Sequence, residues 1–398
     1  MCRYDEAEPL YKKALALNKK YLGETHTYYA QNLSNLATLY YNTDRLKESE
    51  ALHLQSLAIN TEALGVRHPT CLNGFVNMAI ICAVDERPKE SIAYCIKALA
   101  VNAGIEISAQ ISKAWADSLV AADYLDLRQT VMPLNVLYDM VGIDGLYGAA
   151  EEKQLIIVDL AMRLLKKVRD GFNSPGEKLR TLSQSSNWTI MGLRAINPKT
   201  QLELAFSFVE QTKSVLLMDA IQSKKAYTFG DLPDSLKYKE ESLLKEQDRI
   251  SAAIKGTTSD HEKYSLSIKL NQLNLRVKDF TTQLGKEYPK YNALKYANST
   301  IALKDVQALL DDSTAILEYV VSRQEVFAFY IDKQQQSFHR IPISRDSLGS
   351  QIKRMHSALV DYEMLTIEPE KAYENYTVQA HWFYKQLVAP LLTKANGI

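Results

Sequence analysis

The chain has 398 residues, more than one ordinary domain holds, and this length predicts two or three domains. Its composition is 46% hydrophobic and 24% charged, which is typical of a globular protein. Lys plus Arg and Asp plus Glu number 47 each, so the net charge is zero and argues against a nucleic-acid or anionic-membrane surface spread over the chain. No apolar run approaches the roughly 20 residues of a membrane span.

A pattern of 42 residues recurs in the first quarter of the chain. The stretches "YLGETHTYYAQNLSNLA" and "ALGVRHPTCLNGFVNMA" align at this spacing, so that Gly23 corresponds to Gly65. Small and apolar positions lie three and four residues apart, which predicts helix–turn–helix units that stack around one core. The equivalent positions are Glu6, Glu48 and Glu90; Ala14, Ser56 and Ala98; Leu15, Leu57 and Leu99; and Asn18, Asn60 and Asn102.

The repeated segments "YDEAEPLYKKALAL" and "LSNLATLYYNTDRLKESEALHLQSLAI" resemble the tetratricopeptide repeat, in the 42-residue form found in kinesin light chains. This resemblance implies a helical solenoid over residues 1–102, with a groove that binds a protein or peptide ligand. The first copy begins at "MCRYDEAEPL", which corresponds to the second helix of a repeat. We therefore expect the first repeat to be incomplete and Met1 to be an internal or wrongly assigned start.

Two pairs of repeated polar residues are candidates for function. His26 and His68 occupy matching turn positions, which indicates a structural role, and no acidic or Cys partner lies at metal-ligand spacing. No metal site is therefore predicted. The resemblance implies that Asn35 and Asn77 line the groove, where their amides can hydrogen-bond an extended peptide. The alternative is that these amides tie neighbouring helices together.

Helical periodicity continues over residues 103–235 without the repeat signature and predicts diverged helical hairpins. Residues 236–299 are predicted to form an antiparallel, coiled-coil-like hairpin with "GTTSDHE" at its turn. Glu240 and Gln247 interrupt the apolar seam of its first arm. The seam of the second arm consists of Leu266, Leu270, Leu273, Val277, Phe280 and Leu284.

The period changes from helical to strand-like after Tyr296. "AILEYVVS", "EVFAFYID" and "SFHRIPI" predict three strands, and only Arg323 and Gln324 separate the first two, as in a hairpin. Two helices follow. The predicted fold class is therefore mainly α, a helical solenoid plus a helical hairpin, with a partial α/β domain over residues 300–398. Such strands leave an unpaired edge, so we expect the chain to self-associate.

A second resemblance covers about residues 200–398. The order of "FVEQTKSVLLMDAI", "FGDLPDSL", "EYPKYNALKYA" and "DDSTAILEYVVSRQEVFAFYID" is similar to the lead-in of a CHAT domain, a caspase- and separase-like family. The family implies catalysis by a His and a Cys at the ends of later strands. No Cys follows Cys95, so His339, His356 and His381 have no cysteine nucleophile to activate. No catalytic residue is predicted.

The sequence thus favours a non-catalytic protein–protein interaction scaffold that needs no cofactor and binds neither nucleic acid nor membrane. The four cysteines form no C-x-x-C pair, which favours reduced thiols in the cytoplasm. One rival is that the chain is the regulatory or substrate-recruiting portion of a caspase-like cysteine endopeptidase whose His and Cys lie beyond residue 398. Another is a parent protein with an inactive CHAT domain that serves as an assembly scaffold.

Overall fold

The computed structural model describes residues 4–108, 111–122, 124, 127–141, 151–170, 175–213, 215–295 and 301–395. The expected mainly α fold with a partial C-terminal α/β region is confirmed. The first helices are α1 (Tyr4–Leu22), α2 (Thr27–Asn42), α3 (Leu46–Leu64), α4 (Pro69–Val84), α5 (Pro88–Ala103), α6 (Lys113–Ala121), α7 (Val131–Val141), α8 (Glu151–Asp170) and α9 (Pro175–Ala195), with a 3-10 turn at Leu127–Thr130.

The second half contains further helices and three strands. The helices before the strands are α10 (Leu202–Glu210), α11 (Val215–Phe229), α12 (Asp234–Gly256), α13 (Asp260–Glu287), α14 (Pro289–Lys295) and α15 (Leu303–Ala308). The strands are β1 (Ile316–Val321), β2 (Val326–Ile331) and β3 (Gln336–Ile341). They are followed by α16 (Arg345–Val360), α17 (Tyr362–Ile367), α18 (Pro369–Phe383), a π-helical turn (Tyr384–Val388) and α19 (Ala389–Ala395).

The chain divides into two compact units. The helical unit comprises Met1–Met191 and Leu216–Ala297, and the mixed unit comprises Gly192–Val215 and Asn298–Ile398. Helix α10 therefore belongs to the mixed unit, although more than 90 residues separate it from the strands along the chain. The boundaries at residues 102, 235 and 299, which we expect from changes in periodicity, stay predictions.

One hydrogen bond between paired helices recurs in two copies of the repeat. Helix α2 packs on α3 and α4 packs on α5. The Ser49 hydroxyl donates to the Ala37 carbonyl at 2.7 Å, and 42 residues later the Ser91 hydroxyl donates to the Ala79 carbonyl at 2.8 Å. Both alanines are fully buried. A small residue on one helix and a hydroxyl on the next thus allow close approach and satisfy the buried serine.

The turns of the repeat also recur in backbone conformation. Gly23 and Gly65 follow α1 and α3 with φ values of 89° and 83°, a region that residues with a Cβ rarely adopt. Asp44 and Glu86, between the two helices of each pair, both have positive φ, 58° and 54°. The 42-residue period of the sequence is therefore a period of backbone geometry as well.

Ion pairs connect successive second helices of the repeat. Arg45, just before α3, pairs with Glu8 of α1 at 3.0 Å, and Arg87, just before α5, pairs with Glu50 of α3 at 2.7 Å. Arg87 and Glu50 each lie 42 residues after Arg45 and Glu8, so the same bridge is built twice. Partial burial of these side chains makes the bridges part of the stacking contact between repeats.

Helices α12 and α13 form the expected hairpin. Gln247, which interrupts the apolar seam, donates from Nε2 to Asn274 Oδ1 on the facing helix at 2.5 Å. The polar position is thus matched across the hairpin. The buried residues that hold the two helices together include Leu243, Leu273, Val277, Phe280 and Leu284.

Glu240, the other interruption of the seam, is the centre of a buried polar network. Its carboxylate is only 2% exposed and lies 2.6 Å from Lys295 Nζ. Its Oε2 also accepts hydrogen bonds from the Tyr227 hydroxyl at 2.8 Å and the Tyr291 hydroxyl at 2.5 Å. Burial and the nearby carboxylate raise the pKa of Tyr227, which keeps that hydroxyl protonated as a donor. The network joins α11, α12 and α14.

The mixed unit contains a three-stranded antiparallel sheet in the order β1-β2-β3. The expected strands are confirmed, and β2, the central strand, is buried along its whole length. On one face, Val326 and Ala328 pack with Leu391 of α19. On the other face, the ring of Phe329 lies 6.0 Å from that of Phe206 of α10. Helices thus cover both faces of the most apolar strand, while β1 and β3 are the edges.

We expect Glu240→Ala to lower the free energy of unfolding by about 3–5 kcal/mol, because the positive charge of Lys295 then stays buried without this carboxylate. The matched control is Glu241→Ala, which removes a carboxylate that is 45% exposed and lies 3.7 Å from Lys245. The control should change stability by less than about 0.5 kcal/mol. Urea denaturation measures both variants, and equal losses would contradict a structural role for the buried network.

Candidate functional site

A cavity of about 620 Å³ opens between helices of the repeat. One wall comes from α2, the opposite wall from α4 and the floor from α3, with Gln129 of the 3-10 turn at the rim. The first helices of two successive repeats thus lie on either side of the second helix of the earlier one. Stacking alone creates this concave groove, as in other helical solenoids.

Two histidines cap the N-termini of the helices that form the walls of the cavity. His26 Nδ1 accepts a hydrogen bond from the Tyr28 backbone N–H at 3.1 Å, and His68 Nδ1 accepts one from the Thr70 N–H at 3.2 Å. Each imidazole therefore caps a helix, α2 or α4, by satisfying an otherwise unpaired N–H in the first turn. Pro69 adds a residue suited to the first position of α4. The structural role expected for these histidines is confirmed.

The floor of the groove is polar although it is buried. His53 is 3% exposed and its Nδ1 lies 3.4 Å from the Ser34 hydroxyl of α2. The Ser56 hydroxyl donates to the Ala30 carbonyl of α2 at 2.7 Å. Burial lowers the pKa of His53 to about 4, so its imidazole is neutral at pH 7. Two of the floor groups are thus occupied by bonds within the repeat.

Asn60, one helical turn beyond Ser56, differs from these two residues. It lines the cavity and is only 5% exposed. Its Oδ1 is buried and accepts no hydrogen bond from any described residue. Buried amide oxygens in folded proteins are nearly always paired, so an unpaired one at a cavity marks a place where a ligand can supply the partner.

Exposed polar side chains line the walls. Gln31 and Asn35 project from α2, and Thr70 and Asn73 project from α4. No hydrogen bond joins these side chains to other parts of the chain that the structure describes. A side-chain amide carries both donors and acceptors, and a hydroxyl can play either role. The walls can therefore bond both the N–H and the C=O groups of an extended backbone.

The structure places the two predicted asparagines differently with respect to this cavity. Asn35 is exposed and lines it, whereas Asn77 is half-buried on α4, one turn beyond Asn73, and is not among the lining residues. Neither side chain makes a hydrogen bond to another described residue. Their amides thus form no tie between neighbouring helices in the described chain.

The described lining of the groove contains no carboxylate, ammonium or guanidinium group, and its histidines are His53 of the floor and His68, which caps α4. The buried His53 is neutral at pH 7. Among the described residues, no group of three or more His, Cys, Asp or Glu side chains is placed to hold a metal ion. Over the same residues, no helix is both long enough and apolar enough to cross a bilayer.

The three histidines of the mixed unit lie on different elements and differ in their surroundings. His356 and His381 are exposed on α16 and α18. His339 Nε2 lies 2.8 Å from the Ser337 hydroxyl, because residues two apart on a strand project from the same face. The sequence prediction for His339 concerns only a cysteine partner and does not include this hydroxyl.

Sequence reasoning also missed the floor of the groove. In the sequence, Ser56 and Asn60 indicate only the register of the repeats, and no pattern points to His53. A usable signal was present, since Ser56 stands where the other copies have Ala14 and Ala98. A polar residue at an otherwise small repeat position indicates a local role that the other copies lack.

We expect His53 to make the helical unit acid-sensitive. The unfolded chain binds a proton at this residue near the ordinary pKa of 6.5, while the folded chain binds it only near 4, so stability falls as the pH drops through this window. The loss from this group approaches about 3 kcal/mol by pH 4. Urea denaturation between pH 7 and 4 measures it.

His53→Gln should flatten the pH dependence of stability between pH 6.5 and 4, because the variant has no imidazole to protonate. The control is His356→Gln, which changes an exposed histidine and should leave the wild-type pH dependence in place. If His53→Gln and wild type lose stability in parallel as the pH falls, burial of a neutral His53 is not the cause.

Comparison with protein-family models matches residues 1–62 to the family described as tetratricopeptide repeat. The match spans α1, α2 and most of α3, and so includes one wall and the floor of the groove. A comparison with curated proteins gave no significant match. The expected resemblance to the tetratricopeptide repeat is thus confirmed over residues 1–62, and the resemblance to a CHAT domain stays a prediction.

Proposed function

We propose that the chain is a non-catalytic scaffold that binds a partner protein through an extended peptide segment held in the groove. The observation that carries this proposal is the cavity of about 620 Å³, whose walls present amides with no partner among the described residues. Tetratricopeptide repeats generally bind protein partners, and the family match includes one wall of this cavity. An extended peptide has the right shape for a groove between parallel helices of a solenoid.

The polar walls favour a peptide over a small charged ligand. An extended backbone has unpaired N–H and C=O groups in alternation, and the amides of Gln31, Asn35 and Asn73 can meet both kinds. The described lining residues include no charged side chain that could bind a phosphate or carboxylate. In this proposal, Asn35 contacts the peptide inside the cavity, and Asn77 contacts the segment that continues along the solenoid.

The state of the thiols supports a non-catalytic role for this chain. Cys71, Cys82 and Cys95 are free and fully buried. Burial is the main cause that raises the pKa of all three, so they stay protonated and are poor nucleophiles. Cys2 lies outside the described residues. Free thiols also favour a reducing compartment, and we propose a cytoplasmic location on this ground.

We further propose that residues 300–398 are the first part of a CHAT-like domain and that a longer parent protein joins it to the repeats. The support is the order of the motifs from residue 200 onward and an antiparallel sheet flanked by helices. The rival role, recruitment of substrate for a caspase-like endopeptidase, rests on the same resemblance. Self-association through the edge of β1 or β3 stays a prediction. The apolar strand β2 cannot take part, because it is buried along its whole length.

We expect the double change Asn35→Ala and Asn77→Ala to weaken binding of groove peptides while leaving the melting temperature nearly unchanged. Each lost hydrogen bond should cost about 0.5–1.5 kcal/mol of binding free energy. Peptides selected from a random dodecapeptide phage library on the full chain serve as probes, and fluorescence anisotropy measures their affinity. Of the two single changes, Asn35→Ala should have the larger effect on peptides that occupy the cavity.

The matched control for this experiment is Asn32→Ala. Asn32 also lies on α2 but does not line the cavity, so its loss should leave the affinity as it is. If the double variant loses as much stability as affinity, the two amides hold the fold together. If it binds every selected peptide as tightly as wild type does, the groove is not the peptide site.

We expect this chain to have no peptidase activity, because its described thiols are buried and protonated. A fluorogenic peptide library and a thiol-directed covalent probe, with papain as the positive control, test this expectation. No turnover should occur, and Cys71, Cys82 and Cys95 of the native chain should stay unlabelled. Cleavage that disappears when a single cysteine, Cys2 included, is changed to Ala would show that the chain is an enzyme.

A further inference from the structure

We propose that the groove selects peptides by a carboxamide side chain, Asn or Gln, which enters the cavity and pairs with the amide of Asn60. The inference rests on the proposed function and extends it by naming the chemistry of the partner. In this arrangement the walls hold the peptide backbone and the floor reads one side chain. The uncharged walls then supply affinity for the peptide backbone, and Asn60 on the floor supplies specificity for an amide side chain.

The Asn60 amide is the part of the floor that is left for a ligand. The neighbouring Ser56 hydroxyl already donates to the Ala30 carbonyl, and the His53 imidazole lies within reach of the Ser34 hydroxyl. Asn60 makes no hydrogen bond to any described residue, and its Oδ1 is both buried and unpaired. A ligand that donates a hydrogen bond here satisfies a group that the fold leaves unsatisfied.

The comparison among repeats supports a role specific to this position. The equivalent residue of the first copy, Asn18, donates from Nδ2 to the Tyr28 carbonyl at 3.3 Å and does not line the cavity. The same residue type at the same repeat position thus has a backbone partner in one copy and, among the described residues, none at Asn60. Helix stability alone does not account for an unpaired amide at the floor of a cavity.

The surroundings of Asn60 disfavour charged and apolar side chains of a ligand. A charged side chain would lose its hydration in a cavity whose described lining residues include none of opposite charge. An apolar side chain would leave the buried Asn60 oxygen unpaired. A carboxamide carries an NH2 donor group and a carbonyl acceptor in one plane, so it can pair with another carboxamide through two hydrogen bonds, which a single hydroxyl cannot do.

The test selects peptides from a random dodecapeptide phage library on the full wild-type chain and on three variants. Asn60→Leu removes the amide at similar volume, Asn60→Asp replaces it with a negative charge, and Asn18→Leu is the repeat-equivalent control outside the cavity. Deep sequencing gives the residue preferred at each aligned peptide position. Melting curves followed by circular dichroism establish that each variant is folded.

We expect wild type and Asn18→Leu to enrich peptides with one fixed Asn or Gln. Asn60→Leu should lose that preference, and Asn60→Asp should shift it towards Lys or Arg, because the floor then carries a negative charge. On the wild-type chain, changing the fixed Gln or Asn of a synthetic peptide to Leu or Glu should weaken binding about tenfold. This last measurement needs no variant protein, so it decides the matter even if the Asn60 variants do not fold.

The outcomes separate this inference from the function on which it rests. Peptides that depend on Asn35 but show no Asn or Gln preference would overturn the inference and leave the groove as a peptide site. An Asn60→Asp variant that keeps the wild-type preference would overturn the inference in the same way. If no selected peptide depends on Asn35 or on Asn60, the proposed function itself fails.

Discussion

Close contact between paired helices at small residues is the constraint on which the helical unit depends. Ala30, Ala37 and Ala79 are fully buried, and serine hydroxyls of the facing helices bond directly to their carbonyls. A larger side chain at these positions would separate the helices and remove those bonds. The Ser49–Ala37 contact of α3 with α2 recurs after 42 residues as the Ser91–Ala79 contact of α5 with α4, so both helix pairs of the repeat are held in the same way.

Two buried polar groups of the helical unit differ in whether the protein supplies their hydrogen-bond partners. The Glu240 carboxylate is surrounded by donors from Tyr227, Tyr291 and Lys295, so its burial fixes how the hairpin joins its neighbouring helices. The Asn60 amide has no described partner. A buried group without a hydrogen bond costs about 1–3 kcal/mol, which a protein tolerates where a ligand restores the bond. The saturated network is structural, and the unsaturated amide belongs to the groove.

The mixed unit depends on a different constraint, the burial of a strand that is apolar on both faces. Phe327 and Phe329 alternate with Val326, Ala328 and Tyr330, so each face of β2 needs a cover. The sequence next to the strands provides one cover in α18 and α19. The second face is covered by Phe206 of α10, a helix that sequence periodicity groups with the preceding helices.

The sequence by itself determined the elements, because their signals are local. The glycines at positive φ, the alternation in β2 and the heptad spacing of α13 each depend on neighbours within a few residues, and the 42-residue period is the recurrence of such local patterns. The tertiary structure alone decided which polar residues are satisfied. In the sequence, Glu240 only interrupts an apolar seam. In the folded chain its carboxylate accepts a hydrogen bond from Tyr291, which lies 51 residues later. Asn60 only marks the repeat register until stacking places it at the floor of a cavity, since burial and partnership are properties of residues brought together from distant parts of the chain.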